Sequence, residues 1–272
     1  MQQSEPVSDT SRTSLSGAAL FAIHDLKGAV HAIQGFLSVL RSQHAGPLTE
    51  TQQDFLSSAF ITARRIERLV GDLQVYEFGQ QSLSLIPEDC DLLTILRMCI
   101  RELEPTATGY DVSVELCADA NQNWRLFADP VRLEQIAFNL IENAIRYSTP
   151  HSTVVVRTRQ SRSRLLLVVE NEVADPTGIN LERLFEPFQR GQAASESGRR
   201  GLGIGMTVVK TLVAARGGDV YARVRGTTVS IAASLPRRSP AVAASSSGSD
   251  SAVTPGTRAR TLPTAQARSG SY

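Results

Sequence analysis

Cysteine is scarce in this chain of 272 residues: Cys90, Cys99 and Cys117 make an odd count with no Cys-x-x-Cys pair. A disulfide-built, secreted scaffold is thereby excluded, and reduced, packed thiols are expected. An excess of charge of one sign is missing too. Lys and Arg number 28 and Asp and Glu 27, a formal net charge of +1. Bulk attraction to nucleic acid or acidic membranes has no basis in that balance. Long hydrophobic runs are also absent. The longest strongly apolar one, Leu165 to Val169, falls far short of the ~18 residues a membrane span needs. Met1 to Ser14 is polar and lacks the apolar segment of a signal peptide. What remains, 42% hydrophobic and 20% charged residues, is the make-up of a folded soluble chain. The length fits about two domains. The expectation is a cytoplasmic protein with no membrane span and no nucleic-acid partner.

Four zones follow from the pattern. Residues 1–14 are expected to be disordered. Residues 15–80 read as two long helices. The first carries a seam of Ala19, Ile23, Leu26, Val30, Ile33, Leu37 and Leu40, whose spacings alternate four and three. His44-Ala45-Gly46-Pro47 ends it. Thr49 with Gln52 has the form of a capping box. The second helix repeats the seam through Phe55, Ala59, Thr62, Ile66, Leu69, Leu73 and Tyr76. Two such helices form an antiparallel hairpin but cannot enclose a core, so a homodimer completing a four-helix bundle is expected. Residues 81–235 mix helices (91–104, 130–147, 202–216) with short strands (112–116, 124–127, 153–159, 164–169, 219–223, 227–235). Asp129 is the expected N-cap of the 130–147 helix, with Pro130 at its first position. Residues 172–200 read as a long loop. The predicted class is α+β: a helical hairpin, then an α/β sandwich with helices on one sheet face. Residues 236–272 are rich in Ser, Ala, Pro, Thr, Gly and Arg, and are expected to be a disordered basic tail.

Three groups of residues suit phosphate chemistry. His24 lies beside the buried stripe and is followed by Asp25. A carboxylate next to an imidazole can accept its proton while the other nitrogen attacks an electrophile. Asn139 and Asn143 share one helix face, with Arg146 a turn further. Amide oxygens can ligate Mg²⁺ and a guanidinium can pair with phosphate oxygens. Gly201, Gly203 and Gly205 open a helix, where backbone N–H groups can approach phosphate.

Around these groups the sequence resembles bacterial two-component sensor histidine kinases over residues ~15–235. His24-Asp25-Leu26-Lys27 through Ile33-Gln34-Gly35-Phe36 is similar to the family's H box. Asn139-Leu140-Ile141-Glu142-Asn143-Ala144-Ile145-Arg146-Tyr147 is similar to its N box. Leu184-Phe185-Glu186-Pro187-Phe188 is close to its F box, and Gly201-Leu202-Gly203-Ile204-Gly205 to its second glycine box. The resemblance implies that His24 is the phosphoacceptor, with His31 a minor alternative, and that Asp25 is its acid/base neighbour. It implies Asn143 as Mg²⁺ ligand, Asn139 as a supporting polar group, Arg146 as a phosphate contact, and Tyr147 in the nucleotide pocket. The first glycine box departs from the pattern: Asn171 aligns best with the Asp that reads adenine, and Asp175 competes for that place. Gly28 and Ala29 replace the family's usual Thr or Asn and Pro. Arg199 and Arg200 replace small residues before Gly201.

The resemblance thus implies ATP-dependent autophosphorylation on His24, followed by transfer to an aspartate of a response regulator receiver domain. The input would come from a separate sensor protein, the N-terminal segment or the tail. Two alternatives stand beside it. One is a nonenzymatic phosphotransfer relay with a degenerate ATP domain. The other is an ATPase-fold protein acting on Ser or Thr of a partner.

Overall fold

The computed structural model describes residues 9–42, 46–79, 85–119, 121–188 and 202–238, with side chains of the first helix described from Phe21 onward. Helix α1 (Asp9–Arg41) and helix α2 (Glu50–Phe78) form the hairpin. The backbone is already helical at Asp9, where the composition of residues 1–14 reads as disordered. Cross-helix contacts fix the antiparallel sense: His31 and Gln34 meet Glu67, and Arg41 stacks on Phe60. The capping box forms as expected. Thr49 Oγ1 accepts from the Gln52 N–H at 3.3 Å, and the Thr49 N–H donates to Gln52 Oε1 at 2.8 Å.

Within one copy the covered edge of α2 lies beside the seam. Its buried residues are Leu56, Ala63, Val70, Asp72 and Val75, one position on from Phe55, Thr62 and Leu69. Phe55, Ile66 and Leu69 stay exposed, as do Leu26, Ile33 and Leu40 of α1. A helix in a two-helix hairpin has one neighbour, so only the part of its apolar stripe that faces that neighbour is covered. The uncovered part lines an open groove of about 310 Å³ formed by Val30, Ile33, Ser58, Ala59, Thr62, Ala63 and Ile66. Ala19, whose side chain falls in the undescribed stretch, lies outside this comparison.

The second unit begins with strand β1 (Glu88–Asp91), helix α3 (Leu92–Gly109), strands β2 (Ser113–Cys117) and β3 (Arg125–Ala128), and helix α4 (Pro130–Tyr147). Strands β4 (Thr153–Gln160) and β5 (Arg164–Glu172), helix α5 (Gly205–Ala215), and strands β6 (Asp219–Arg225) and β7 (Thr228–Pro236) complete it. Strand β1 is a correction. Glu-Asp-Cys-Asp has no apolar alternation, but it pairs antiparallel with β3, Cys90 opposite Leu126. Asp91 then caps α3 through the Leu93 N–H. Asp129 caps α4 through the Val131 and Arg132 N–H groups, with Pro130 in the first turn.

The five-stranded sheet runs β2-β4-β5-β7-β6. Strands β2 and β4 are parallel and the other pairs antiparallel. Alternate residues of β5 and β7 point to one face: Leu165, Leu167 and Val169 with Val229, Ile231, Ala233 and Leu235, all buried. Helices α3, α4 and α5 cover that face and close one core with it, through Leu96, Leu103, Ile136, Leu140 and Leu212. The outer face is mixed: Arg157 pairs with Glu170 at 2.8 Å among half-buried Val155, Leu166 and Val168. This is the expected two-layer sandwich. Arg216, at the end of α5, is buried and its Nη2 donates to the Phe127 and Pro236 carbonyls. It ties α5 to β3 and β7.

Candidate functional site

His24 and Asp25 sit on the exposed flank of α1, with side chains 87% and 85% exposed. Nδ1 of His24 stands 3.9 Å from Asp25 Oδ1, within ion-pair range but beyond a hydrogen bond. His31 is committed elsewhere, 3.2 Å from Glu67 Oε1.

A second group gathers where α4 meets α5. The start of α5 has no side-chain cap: Ile204 occupies the N-cap. The first N–H groups of a helix lack intrahelical partners and carry the positive end of its dipole, so this end is suited to an anion. Gly203 precedes it at φ 71. Gly205 opens the helix against Asn139, whose Oδ1 would lie 3.2 Å from a Cβ there. A side chain at 205 would push the amide away. The N-box helix and the glycine turn are thus in contact. Asn143, Arg146 and Tyr147 follow along α4, each half-buried. Arg146 Nη2 donates to Glu142 Oε1 at 2.7 Å, so a carboxylate already neutralises part of its charge. Asn143 has no side-chain hydrogen bond among the described residues.

Asn171 lies near the end of β5 on the face toward the helices, beside Glu172, whose carbonyl accepts from the Thr149 N–H just past the end of α4 at 2.8 Å. Asn171 is 5% exposed, and its Nδ2 has no partner among the described residues. A buried amide N–H without an acceptor is costly, and a ligand edge with an acceptor would satisfy it. Asp175 is different: its carboxylate is exposed and takes two hydrogen bonds from Thr177, backbone N–H and hydroxyl. These bonds hold its carboxyl below the usual range and close it into a local turn. Gly201, with Arg199 and Arg200, lies outside the described residues.

The F-box segment is joined to the glycine turn. Thr207 Oγ1 donates to the Phe185 carbonyl at 3.1 Å, and the Phe188 N–H donates to the Gly203 carbonyl at 2.9 Å. Phe188 also meets Tyr76 of α2 edge to face, centroids 5.4 Å apart.

The sequence reading missed the seat of this unit on the hairpin. Arg64 of α2 bonds Glu134 of α4 at 3.2 Å, Arg68 pairs with Glu102 of α3, and Arg68 stacks 3.9 Å above the Phe138 ring. Beside them Asp72 is buried at 7% exposure. Its Oδ1 accepts from Gln135 Nε2 at 2.5 Å and from Asn139 Nδ2 at 3.2 Å. Burial pushes the Asp72 carboxyl up to about 6, against the lowering effect of those two bonds. The available signal was an acidic residue on the apolar side of α2, three residues past Leu69. Its partners lie more than 60 residues away, so the sequence could not name them.

Among the described residues no group of three His, Cys, Asp or Glu side chains could hold a metal ion. Mg²⁺ does not require one, since it is commonly held by one or two oxygen ligands together with substrate phosphates and water. Asn143, half-buried and without a side-chain hydrogen bond among the described residues, fits that role. No helix among the described residues is long and apolar enough to cross a membrane.

Comparison with known proteins accounts for both units. Residues 22–81 match the His Kinase A (phospho-acceptor) domain. Residues 128–239 match the histidine kinase-, DNA gyrase B- and HSP90-like ATPase. A bacteriophytochrome of Pseudomonas aeruginosa is 29% identical over 217 residues, covering 79% of this chain and 29% of that protein. The sensor protein VanSC of Enterococcus gallinarum is 25% identical, covering 80% and 60% respectively. The chain thus spans less than two thirds of the length of these relatives. In fold it is similar to the Acinetobacter baumannii histidine kinase AdeS, with TM-score 0.51 and 20% identity over 79% of this chain and 98% of that one. It is also similar to full-length ShkA in complex with AMPPNP, with TM-score 0.54 and 21% identity over 81% and 45%.

Proposed function

From its membership of the two-component sensor histidine kinase family, to which this chain belongs by two consecutive domain matches, we propose that it phosphorylates itself on His24 with ATP. It then passes the phosphoryl group to an aspartate of a response regulator. The observation that carries this reading is the contact of Asn139 with Gly205 at the uncapped N-terminus of α5, a ready site for a polyphosphate. Residues 15–80 are the dimerisation and phosphoacceptor unit, and residues 81–235 the ATP-binding unit, in a cytoplasmic homodimer. The apolar groove through Ile33 and Ile66 is the surface on which the second copy completes the bundle.

In the reaction an imidazole nitrogen of His24 attacks the γ-phosphorus. The N–P bond forms as the bond to the β-phosphate oxygen breaks, and ADP leaves. Nδ1 is the nitrogen on the Asp25 side, so Asp25 takes up the proton there and Nε2 is the nucleophile. The N-terminal amides of α5, at Gly203 to Gly205, hold phosphate oxygens with Gly201, and Arg146 adds charge. Asn143, supported by Asn139, would hold Mg²⁺, which offsets negative charge on the phosphates when bound. Tyr147 flanks the pocket, and the buried Asn171 amide reads the base. Transfer to the regulator breaks the N–P bond and forms an acyl phosphate on its aspartate.

The test is incubation with Mg²⁺ and γ-labelled ATP, comparing wild type with His24→Ala. Acid-labile, alkali-stable label that disappears in the variant is the expected result. A folded wild type that takes no label from ATP, but takes it from a phosphorylated receiver domain, would establish a relay instead.

A further inference from the structure

Asp72 is a carboxylate on a helix that otherwise buries apolar residues, and keeping it there is expensive. Both of its hydrogen-bond donors come from the other unit, Gln135 and Asn139 of α4. The bond to Asn139 has a directional consequence, because the two ends of an amide differ. With Nδ2 held by the carboxylate, Oδ1 is turned the opposite way. That oxygen is the atom lying against Gly205, where α5 begins. An ionised carboxylate only accepts, so the amide cannot flip without setting oxygen against oxygen. The charged groups that act on Asp72 are Glu142 of α4 and Arg68 of its own helix. Neither bonds Asn139. The line of contact therefore runs from the hairpin through Asp72 and Asn139 to the helix end that receives phosphate.

We propose that Asp72 is a positioning residue of the nucleotide site: from the hairpin it holds the Asn139 amide with its oxygen toward the start of α5. Nucleotide affinity then depends on the hairpin being seated against the ATP-binding unit, although Asp72 itself touches no nucleotide. The inference rests on the nucleotide-binding reading above.

The experiment is calorimetric titration of the full chain at pH 8 with Mg²⁺ and a non-hydrolysable ATP analogue. Asp72→Leu should weaken binding on the order of tenfold, the scale of one oriented hydrogen bond. Asp72→Asn keeps an acceptor oxygen and should restore most of that loss. Asn139→Ala should weaken binding as well, and adding Asp72→Leu to it should weaken it no further. Wild-type affinity in Asp72→Leu, or a double variant in which the two losses multiply, would overturn the proposal. A second readout needs no nucleotide. The Asn139 side-chain amide resonances, identified by their loss in Asn139→Ala, should shift with a midpoint near pH 6 and lose that response in Asp72→Leu. Resonances indifferent to Asp72 would overturn the positioning. A wild type that binds no nucleotide would instead overturn the kinase reading, and the nucleotide half of this inference with it.

Discussion

The hairpin and the sandwich solve the same problem differently. In the sandwich, Leu96, Ile136, Leu140, Leu165 and Leu235 are fully buried by residues of the same chain. In the hairpin, Phe55, Ile33, Ile66 and Leu69 remain exposed. A sheet with helices on one face encloses a core by itself, whereas two helices leave half their apolar stripe uncovered. The sandwich thus closes its core by its own packing, whereas the hairpin leaves an apolar surface that one copy does not cover. The residues proposed for catalysis divide along the same line. On the function proposed above, the nucleotide site lies in the unit that encloses its own core, and the phosphoacceptor stands on the hairpin, whose Asp72 reaches across to Asn139.

That division can be broken in order of expected effect. His24→Ala should remove at least ~1000-fold of the phosphohistidine label while nucleotide binding by calorimetry stays intact, since His24 lies on the exposed flank of α1. Loss of both together would mean the two units are not separable. Leu140→Ala, at a site with no exposure, should cost about 2–5 kcal/mol, seen as a lower urea midpoint at every protein concentration. Ile66→Glu, in the groove, should act through assembly and give a monomeric mass in sedimentation with helix content retained. A dimer that survives it would place the interface elsewhere.

Asp72 sharpens the boundary between the units. Its carboxyl is raised from 3.8 to about 6 by burial. Between those values the folded state holds a proton that the unfolded state has released. The group therefore subtracts stability as the pH rises through that window, and the loss is complete above about 6. Asp72→Asn should raise stability by about 3 kcal/mol at pH 8, and the gain should vanish below pH 3.8. Thermal unfolding of the two proteins at both pH values is the check. The smallest effect belongs to the local cap: Thr49→Ala should cost about 1 kcal/mol, read from thermal melts, through the bonds with Gln52.

Local chemistry was legible in the sequence. The Thr49–Gln52 box and the Asp129–Pro130 start of α4 use side chains and backbone within a few residues, so no distant partner is needed to find them. The continuous apolar run of β5 likewise identifies a strand, but which of its residues face the helices emerges only from the alternating burial in the sheet. Strand β1 escaped because four residues rich in acid carry no such run, and only pairing with β3 makes them a strand. Within one copy of the hairpin the covered edge of α2 runs through Leu56, Ala63 and Val70, beside the seam rather than along it, because an apolar stripe does not say which neighbour covers which edge. The contact of Asn139 with Gly205 joins motifs more than 60 residues apart, which spacing along the chain does not reveal.

The sequence by itself determined the helical and strand periods, the caps and the residue types of phosphate chemistry, because each is set by short-range spacing. Tertiary structure alone decided that Asp72 holds Asn139, that Arg64 and Arg68 seat the sandwich on α2, and which face of the hairpin stays open. Hydrogen bonds and buried charge depend on which groups meet after the chain has folded, and spacing along the chain does not encode that meeting.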